Sequence, residues 1–410
     1  MNITRRTAGL GLAAAFLTGC TGGGSQPAAP GRMRAVANPG FDTWVQGFRT
    51  RAAAKGIDPQ VLSRAFRGAG YLPGVIERDR NQTEFTRSLE DYIAIAASDE
   101  RVATGRSMLK RHGALLARIE AKYGVEARVV TAIWGLESRY GARRGDVPVI
   151  SALSTLAYDG RRGAFFESQL IAALKIVQNG DVPPERMTGS WAGAMGHTQF
   201  IPTSYLAYAV DFTGDGRRDI WSDDPADALA SAAAYLSRSG WRHGQPWGLE
   251  VALPQGFDMG LTGRGTSRSA GQWAALGVRP AAGGALPDHG SASVLAPAGP
   301  GAPAFLVFRN FGVILRYNNA EKYGIGVGHL SDRIAGGPPL FGRFGPDATG
   351  LTLDDRKDLQ ARLTRAGFDT QGADGVIGDN TRAAITAYQR AKGLPVTGTP
   401  SKALLARLGG

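Results

Sequence analysis

The sequence predicts a mainly α-helical protein of the α+β class, with a small β-rich insertion and a separate three-helix unit at its C-terminal end. Three observations support this fold class. Apolar residues recur at helical spacing through much of residues 39–335. Short β-like runs alternate with Gly- and Pro-rich stretches over about 247–316. A low-complexity break at 336–350 precedes a second helical pattern at 351–410.

The first twenty residues predict an export signal. Arg5-Arg6 precedes an apolar run at 8–17, which is too short to cross a bilayer. The run ends in Leu17-Thr18-Gly19-Cys20, which resembles a lipoprotein box whose cysteine is lipidated. Cys20 is the only cysteine of the chain, and lipidation would explain an unpaired exported thiol. An ordinary cleaved signal remains the alternative, and the sequence leaves the Sec and twin-arginine export routes open.

Residues 21–38 lack apolar periodicity and predict a flexible tether. The helical body then begins with apolar residues at positions i, i+3, i+4 and i+7, namely Phe41, Trp44, Val45 and Phe48. Length also favours several compact units, because 410 residues exceed the roughly 100–200 of a usual domain.

The net charge of +12 favours an acidic polymer as partner, either nucleic acid or a polyanionic cell envelope. The export signal and the lack of a nucleic-acid-binding signature exclude nucleic acid. The five histidines show no metal-ligand spacing, so no zinc site is predicted. Ser138 and Ser190 have no His/Asp partner pattern, which disfavours a serine hydrolase.

One carboxyl group lies on an apolar helix face. Val130, Ile133 and Trp134 precede Glu137 by seven, four and three residues. Burial favours the protonated form of a carboxyl group, so Glu137 is expected to donate a proton, as glycosidic cleavage requires. The alternative is a Glu137 at the edge of this face, paired with one of three nearby arginines: Arg139, Arg143 and Arg144.

The wider pattern around Glu137 resembles a known family. The segment Ile133–Gly141 is similar to the Glu-Ser signature of lytic transglycosylases, specifically the lytic murein transglycosylase B family. Further matching motifs follow in order and span roughly Phe41 to Ile334: Arg161–Phe166, Ser190–Gly196, Gln199–Tyr205, Tyr317–Asn319 and Tyr323.

The resemblance implies a lysozyme-like helical catalytic domain. It implies cleavage of the β-1,4 bond between N-acetylmuramic acid and N-acetylglucosamine of peptidoglycan, with Glu137 acting first as acid and then as base. The products would carry 1,6-anhydromuramoyl ends, and no cofactor would take part in the chemistry. It assigns substrate binding to Tyr92, Arg161, Arg162, Ser190, Gln199, Tyr235, Tyr317, Asn318 and Tyr323. A hydrolytic muramidase and a non-catalytic peptidoglycan-binding lipoprotein are the alternatives.

The segment 211–219 predicts a calcium loop, because oxygen side chains stand at positions 1, 3, 5 and 9 with Gly at position 6 of an EF-hand pattern. Position 12 is Ser222 where Glu is usual. The resembled family closes such a loop with a later aspartate, and two extra residues, Ser222 and Asp223, lengthen it here. The ligands are then Asp211, Thr213, Asp215, Arg217 (by its carbonyl), Asp219 and Asp227. A helix-capping acidic turn is the alternative.

The unit at 351–410 resembles a three-helix peptidoglycan-binding domain, on the motifs 358–363, 367–368, 374–378 and 387–390. Helices are predicted at 353–366, at 380–392 and from Pro400. The expected partners are peptidoglycan glycan strands and, through the lipid anchor, a membrane. We expect a monomer in the periplasm, anchored to the outer membrane.

Overall fold

The computed structural model describes residues 33–81 and 87–409. The predicted signal, Cys20 and most of the tether lie outside these ranges. The described part contains seventeen α-helices and six short β-strands, which confirms the predicted fold class. None of these helices is both long and apolar enough to cross a membrane.

The helices of the body, in chain order, are α1 (Pro39–Ala54), α2 (Pro59–Phe66), α3 (Pro73–Arg80), α4 (Leu89–Ala96), α5 (Asp99–Arg111), α6 (Gly113–Tyr123), α7 (Ala127–Ser138), α8 (Val149–Asp159), α9 (Gly163–Gln178), α10 (Pro202–Tyr208), α11 (Ala226–Arg238), α12 (Ala270–Ala275), α13 (Arg309–Tyr317) and α14 (Glu321–Ile334). The C-terminal unit contains α15 (Leu353–Arg365), α16 (Asp379–Ala391) and α17 (Lys402–Arg407). The strands are β1 (Val147–Pro148), β2 (Thr188–Gly189), β3 (Gly248–Ala252), β4 (Arg279–Pro280), β5 (Ser293–Leu295) and β6 (Ala304–Val307).

Helix α7 lies at the centre of the body, packed by α5, α6, α11 and α14. Every residue from Val129 to Ser138 is buried, so α7 is enclosed on all faces. The sequence predicted a single apolar face. The difference arises because small and polar residues such as Thr131 and Gly135 fill the remaining faces; the Thr131 hydroxyl donates to the Ala127 carbonyl within the helix.

Helix α14 packs against its neighbours through glycines. A β-carbon at Gly324 would lie 2.5 Å from the Phe311 ring, and one at Gly328 would lie 2.2 Å from the Trp247 ring. A β-carbon at Gly326 would lie 2.7 Å from the ring of Tyr92. These distances are too short for any side chain, so the three glycines let α4, α13 and the start of the insertion approach the α14 backbone.

The β-rich insertion forms a four-stranded antiparallel sheet in the order β4-β3-β6-β5. Its own small core surrounds Trp273, which is fully buried. The predicted insertion reached residue 316, but α13 already begins at Arg309. The reason is the helical spacing of Phe311, Ile314 and Leu315, which pack into the core of the body.

The C-terminal unit has a separate core, which includes Leu359, Leu363 and Ile385. Its helices begin and end within two residues of the predicted positions, the late start of α17 being the largest difference. The preceding linker is attached to the body: the backbone N–H groups of Phe341 and Gly342 donate to the Glu250 carboxylate at 2.7 and 2.6 Å.

Candidate active site

The carboxyl group of Glu137 lies at the buried C-terminal end of α7. The residue has no exposed surface, and its Oε1 accepts a hydrogen bond of 2.6 Å from the hydroxyl of Tyr323 on α14. Burial, together with the charge of Glu137, holds the pKa of Tyr323 well above its usual 10. The tyrosine therefore stays a hydrogen-bond donor to this carboxyl group at any physiological pH.

A hydrogen-bond network fixes the end of α7. The Ser138 hydroxyl donates to the carbonyl of His197 at 2.6 Å and accepts from the N–H of Gly141 at 2.9 Å. The indole of Trp134 donates to Nδ1 of His197 at 3.1 Å, and Nε2 of His197 lies 2.7 Å from the carbonyl of Ser222. These partners fit a neutral imidazole protonated at Nε2, and burial also lowers the pKa of His197.

The loop that contains His197 also contains Gln199, whose φ is +51°. Its side-chain N–H groups donate to the carbonyls of Arg144 at 3.0 Å and Gly196 at 2.8 Å. The amide oxygen is buried and has no hydrogen-bond partner within the described ranges. Gln199 thus presents an unused acceptor, which is what a ligand N–H group requires.

Ser190 is fully buried in a tight turn. Its hydroxyl oxygen accepts from the N–H groups of Ala192 at 3.2 Å and Ala194 at 3.0 Å. Asn318 follows α13, is half-buried, and accepts from the N–H of Ala320 at 3.1 Å. Both side chains keep polar hydrogens that these bonds do not use.

Two predicted tyrosines belong to an aromatic cluster. The rings of Tyr235 and Tyr317 lie 4.9 Å apart, and those of Tyr208 and Tyr235 lie 4.2 Å apart. The hydroxyl of Tyr317 donates to the carbonyl of Thr198 at 2.6 Å, and that of Tyr235 donates to the carbonyl of Arg316. Burial raises the pKa of Tyr235 to about 12. These hydroxyl groups are already used, so the two residues would offer ring faces or edges to a sugar.

The predicted arginines occupy different environments. Arg161 is half-exposed and pairs with Oδ1 of Asp79 at 2.6 Å, whereas the guanidinium of Arg162 lies over the ring of Phe165 at 4.4 Å. Arg144 was one candidate partner of Glu137. Its guanidinium instead donates to the carbonyls of Trp221 and Ser222 at 2.9 and 2.8 Å, and to the Asp223 carboxylate at 2.7 Å.

The predicted calcium loop gathers three carboxylates. One oxygen each from Asp211, Asp215 and Asp227 lies within 4.8 Å of the others. Asp227 is buried and accepts from the N–H groups of Phe212 at 2.8 Å and Thr213 at 3.0 Å. Hard oxygen ligands of this kind suit calcium, so the three carboxylates fit the cation.

The other predicted calcium ligands of this loop make hydrogen bonds within the loop itself. Oδ1 of Asp219 accepts from the N–H groups of Trp221 at 2.9 Å and Ser222 at 3.0 Å, so this oxygen caps the following turn. The Thr213 hydroxyl donates to Oδ1 of Asp211 at 3.3 Å, while Arg217 donates its backbone N–H to Asp215 at 2.9 Å. These bonds are of the kind expected for the alternative, an acidic turn, although Asp219 caps a turn and not a helix.

The body matches a family described as the transglycosylase SLT domain, over residues 40–332. The chain belongs to this family. Residues 352–408 match a second family, described as a putative peptidoglycan binding domain. Both matches confirm the resemblances that the sequence indicated.

Known SLT-domain proteins are similar over most of the chain. Membrane-bound lytic murein transglycosylase B of Escherichia coli (strain K12) is 34% identical over 296 residues, which is 68% of this chain and 79% of that protein. SltB3 from Pseudomonas aeruginosa, solved in complex with NAG-NAM-pentapeptide, is 49% identical, with a TM-score of 0.74 over 90% of this chain and 100% of that one. The Escherichia coli lytic transglycosylase Slt35, solved in complex with calcium, is 30% identical, with a TM-score of 0.63 over 76% and 98%.

Within this SLT-domain chain, the structure joins some predicted residues directly and others through the backbone. Glu137 and Tyr323 share a hydrogen bond, and the loop at 196–200 lies between α7 and Tyr317. Sequence reasoning missed the roles of Trp134 and His197. The available signal was the position of His197 between two matching motifs, directly after Ser190–Gly196 and two residues before Gln199.

Proposed function

We propose that the chain is a lytic transglycosylase of peptidoglycan in which Glu137 is the only group that moves protons. The observation that carries this proposal is the fully buried Glu137 in hydrogen-bond contact with Tyr323, inside an SLT domain. The 49% identical SltB3, whose solved complex contains NAG-NAM-pentapeptide, supports a glycan strand with peptide stems as substrate.

In the first step, Glu137 gives its proton to the glycosidic oxygen of the leaving N-acetylglucosamine as the bond to C1 of N-acetylmuramic acid breaks. In the second step, the C6 oxygen of the same muramic acid bonds to C1, and its proton returns to the Glu137 carboxylate. No water is consumed, and the enzyme regains its starting state. The Tyr323 hydroxyl donates to the carboxylate between the steps and stabilises its charge.

The remaining predicted residues would hold the substrate. The free amide oxygen of Gln199 is suited to the N–H of an N-acetyl group, and Ser190 and Asn318 are suited to its carbonyl. The substrate's own N-acetyl group would shield C1 in place of a second carboxylate. Sugar rings would pack against tyrosines, and muropeptide polar groups would meet the arginines, from the set Tyr92, Tyr235, Tyr317, Tyr323, Arg161 and Arg162.

The test is product analysis of purified cell wall digested in ¹⁸O-labelled water. A lytic transglycosylase releases muropeptides with 1,6-anhydro ends that carry no label, because the attacking oxygen belongs to the sugar. Label at the new muramic acid ends would identify a hydrolytic muramidase. Absence of any released fragment would favour a non-catalytic binding protein.

The loop at 211–227 is assigned to a structural calcium ion. Three convergent carboxylates support this assignment, as does the calcium complex of the 30% identical Slt35. The ion would link the loop to the N-terminal turn of α11, where Asp227 lies. It takes no part in the proton transfers.

Lipidation of Cys20 is assigned as a periplasmic anchor, with residues 351–410 as the wall-binding unit of a monomer. The similarity to a protein named membrane-bound supports an anchor. A Cys20→Ala variant should leave the outer-membrane fraction while keeping its activity on soluble glycan, since the lipid does no chemistry. Retention of this variant in the membrane fraction would contradict lipid anchoring.

A further inference from the structure

One arginine connects the C-terminal unit to the body. Arg356 belongs to α15 and is only 3% exposed. It donates to the Gly375 carbonyl of the same unit at 2.7 Å and to the Asp347 carboxylate of the preceding linker at 3.0 Å. Its Nη2 contacts the body: it donates to Glu90 at 2.6 Å and to Asp91 at 3.0 Å, both in the first turn of α4.

This contact has the character of an interior ion cluster. Every N–H group of the Arg356 guanidinium faces an oxygen, and Glu90 is only 9% exposed. Burial alone would lower the pKa of Arg356, but the hydrogen bond to Glu90 and the three carboxylates raise it. A buried charge is tolerated only when its partners are in place, so the cluster holds the two units in one arrangement.

The first turn of α4 also forms part of the predicted cleft. Tyr92 directly follows Glu90 and Asp91, and its ring packs against Gly326 of α14. Gly326 lies one helical turn after Tyr323, the residue that bonds to Glu137. A second contact joins α14 to the segment just before α4, because Lys322 donates to the carbonyl of Arg87 at 3.0 Å.

We propose that the C-terminal unit is a docked part of the catalytic cleft, and that Arg356 is a positioning residue which holds Glu90 and Asp91, and with them Tyr92, in place. This inference rests on the proposed function only in taking a glycan strand as the cleft's ligand. It changes the role of the unit, since a unit that only tethers the enzyme to the wall has no effect on a substrate that needs no tether.

The test uses the full chain and short, soluble, uncrosslinked glycan strands. The main variant is Glu90→Gln/Asp91→Asn, which keeps side-chain size and leaves the bonds of Arg356 inside its own unit intact. Its matched control is Asp99→Asn at the start of α5, where an exposed carboxylate pairs with Arg333 at 3.0 Å. A second variant, Arg356→Lys, weakens the cluster from the other side while it keeps the positive charge.

Docking is measured without substrate, by small-angle X-ray scattering and by the rate of proteolysis at 336–350. We expect both cluster variants, and not the control, to be larger in scattering and cut faster. We expect their KM for the soluble strand to rise by roughly 3- to 10-fold with kcat nearly unchanged, because a displaced wall weakens ground and transition states alike. Unchanged melting of the body verifies that the variants fold.

The proposal would be overturned if the C-terminal unit undocked in the cluster variants while KM for the soluble strand stayed unchanged. The unit would then act only as a tether to the wall. A raised KM in a chain that stays docked would also overturn the proposal, since the carboxylates would then act without Arg356. Loss of 1,6-anhydro products in the wild type would instead count against the proposed function. The docking measurements stay valid in that case, so the two failures are distinguishable.

Discussion

Around Glu137 the helices bury titrating side chains one by one, whereas the loop from Asp211 to Asp227 brings three carboxylates together. Burial pushes titrating groups near the cleft toward their neutral forms: it raises the pKa of Tyr323 and lowers that of His329 on the same helix to about 4. In the loop, desolvation of Asp211 is outweighed by N–H donors from Gly216 and Gly214, so its pKa lies below the usual range.

The comparison teaches that surroundings decide what a carboxyl group can do. A buried carboxyl group that accepts a hydrogen bond from a tyrosine can hold, release and recover a proton. In the loop from Asp211 to Asp227, burial raises the pKa of Asp227 despite three backbone N–H donors, and a bound cation would favour its ionised form.

Glu137→Gln should lower kcat by about 10³- to 10⁴-fold or more, because one group serves both proton transfers. Folding should persist, since a neutral amide replaces a buried carboxyl group of the same size. Released 1,6-anhydro products, measured by mass spectrometry, report the activity. Asp215→Asn, in the loop, is the matched control and should keep kcat within a few-fold. An active Glu137→Gln enzyme would remove this residue from the mechanism.

The buried histidine of the cleft region should make stability depend on pH. The unfolded chain protonates His329 below about pH 6.5, but the folded chain does so only near pH 4, so the free energy of unfolding falls as pH decreases through this window. The expected loss is roughly 2–3 kcal/mol by about pH 4.5.

Urea titrations at neutral and acidic pH measure this loss. His329→Gln should flatten the dependence, whereas His289→Gln in the insertion, the matched control, should leave it in place. A wild-type and a His329→Gln protein with the same pH slope would show that His329 is accessible to protons in the folded state.

Tyr323→Phe should lower kcat by roughly 10- to 100-fold, because a hydrogen bond to a charged group contributes about 1.5–3 kcal/mol. The ring remains to fill the space, so the melting temperature should change little. Tyr205→Phe, at a fully buried tyrosine that bonds to the carbonyl of Arg218, controls for loss of a buried hydroxyl. If Tyr323→Phe and the wild type had equal kcat, the Tyr323 hydroxyl would not contribute to the proton transfers of Glu137.

Calcium should raise the melting temperature of the wild type by about 2–4 °C at ten times its Kd, because preferential binding to the folded state then contributes about 1.4 kcal/mol. Asp215→Ala should abolish the rise. Asp223→Ala, which removes an exposed carboxylate outside the three-carboxylate group, should keep it. If neither calcium nor a chelator changed the melting temperature of the wild type, the loop would be an acidic turn and not a calcium site.

Much of the fold follows from local pattern. Helix α7 was predictable from its apolar spacing, and the C-terminal helices from their motifs, because both signals lie within one segment of sequence. The predicted end of the insertion was wrong, because the apolar face of α13 is recognisable as part of the body's core only from its packing against α11 and α14.

The site was predictable as a set of residues but not as a set of contacts. Tyr323 is 186 positions from Glu137, and Arg356 is 266 positions from Glu90, so no periodicity could pair them. His197 likewise depends on partners that only the tertiary fold brings to it.

The three glycines of α14 bear on when the enzyme becomes active. Each glycine lowers intrinsic helix stability by about 1 kcal/mol relative to alanine, so α14 gains its order from the aromatic rings that pack on it. Those rings, from Tyr92, Trp247 and Phe311, belong to segments that are more than 200 residues apart at the extremes. Tyr323 can therefore meet Glu137 only after almost the whole body has been synthesised and packed. A chain in which these segments have not yet packed together therefore lacks the hydrogen bond between Tyr323 and Glu137.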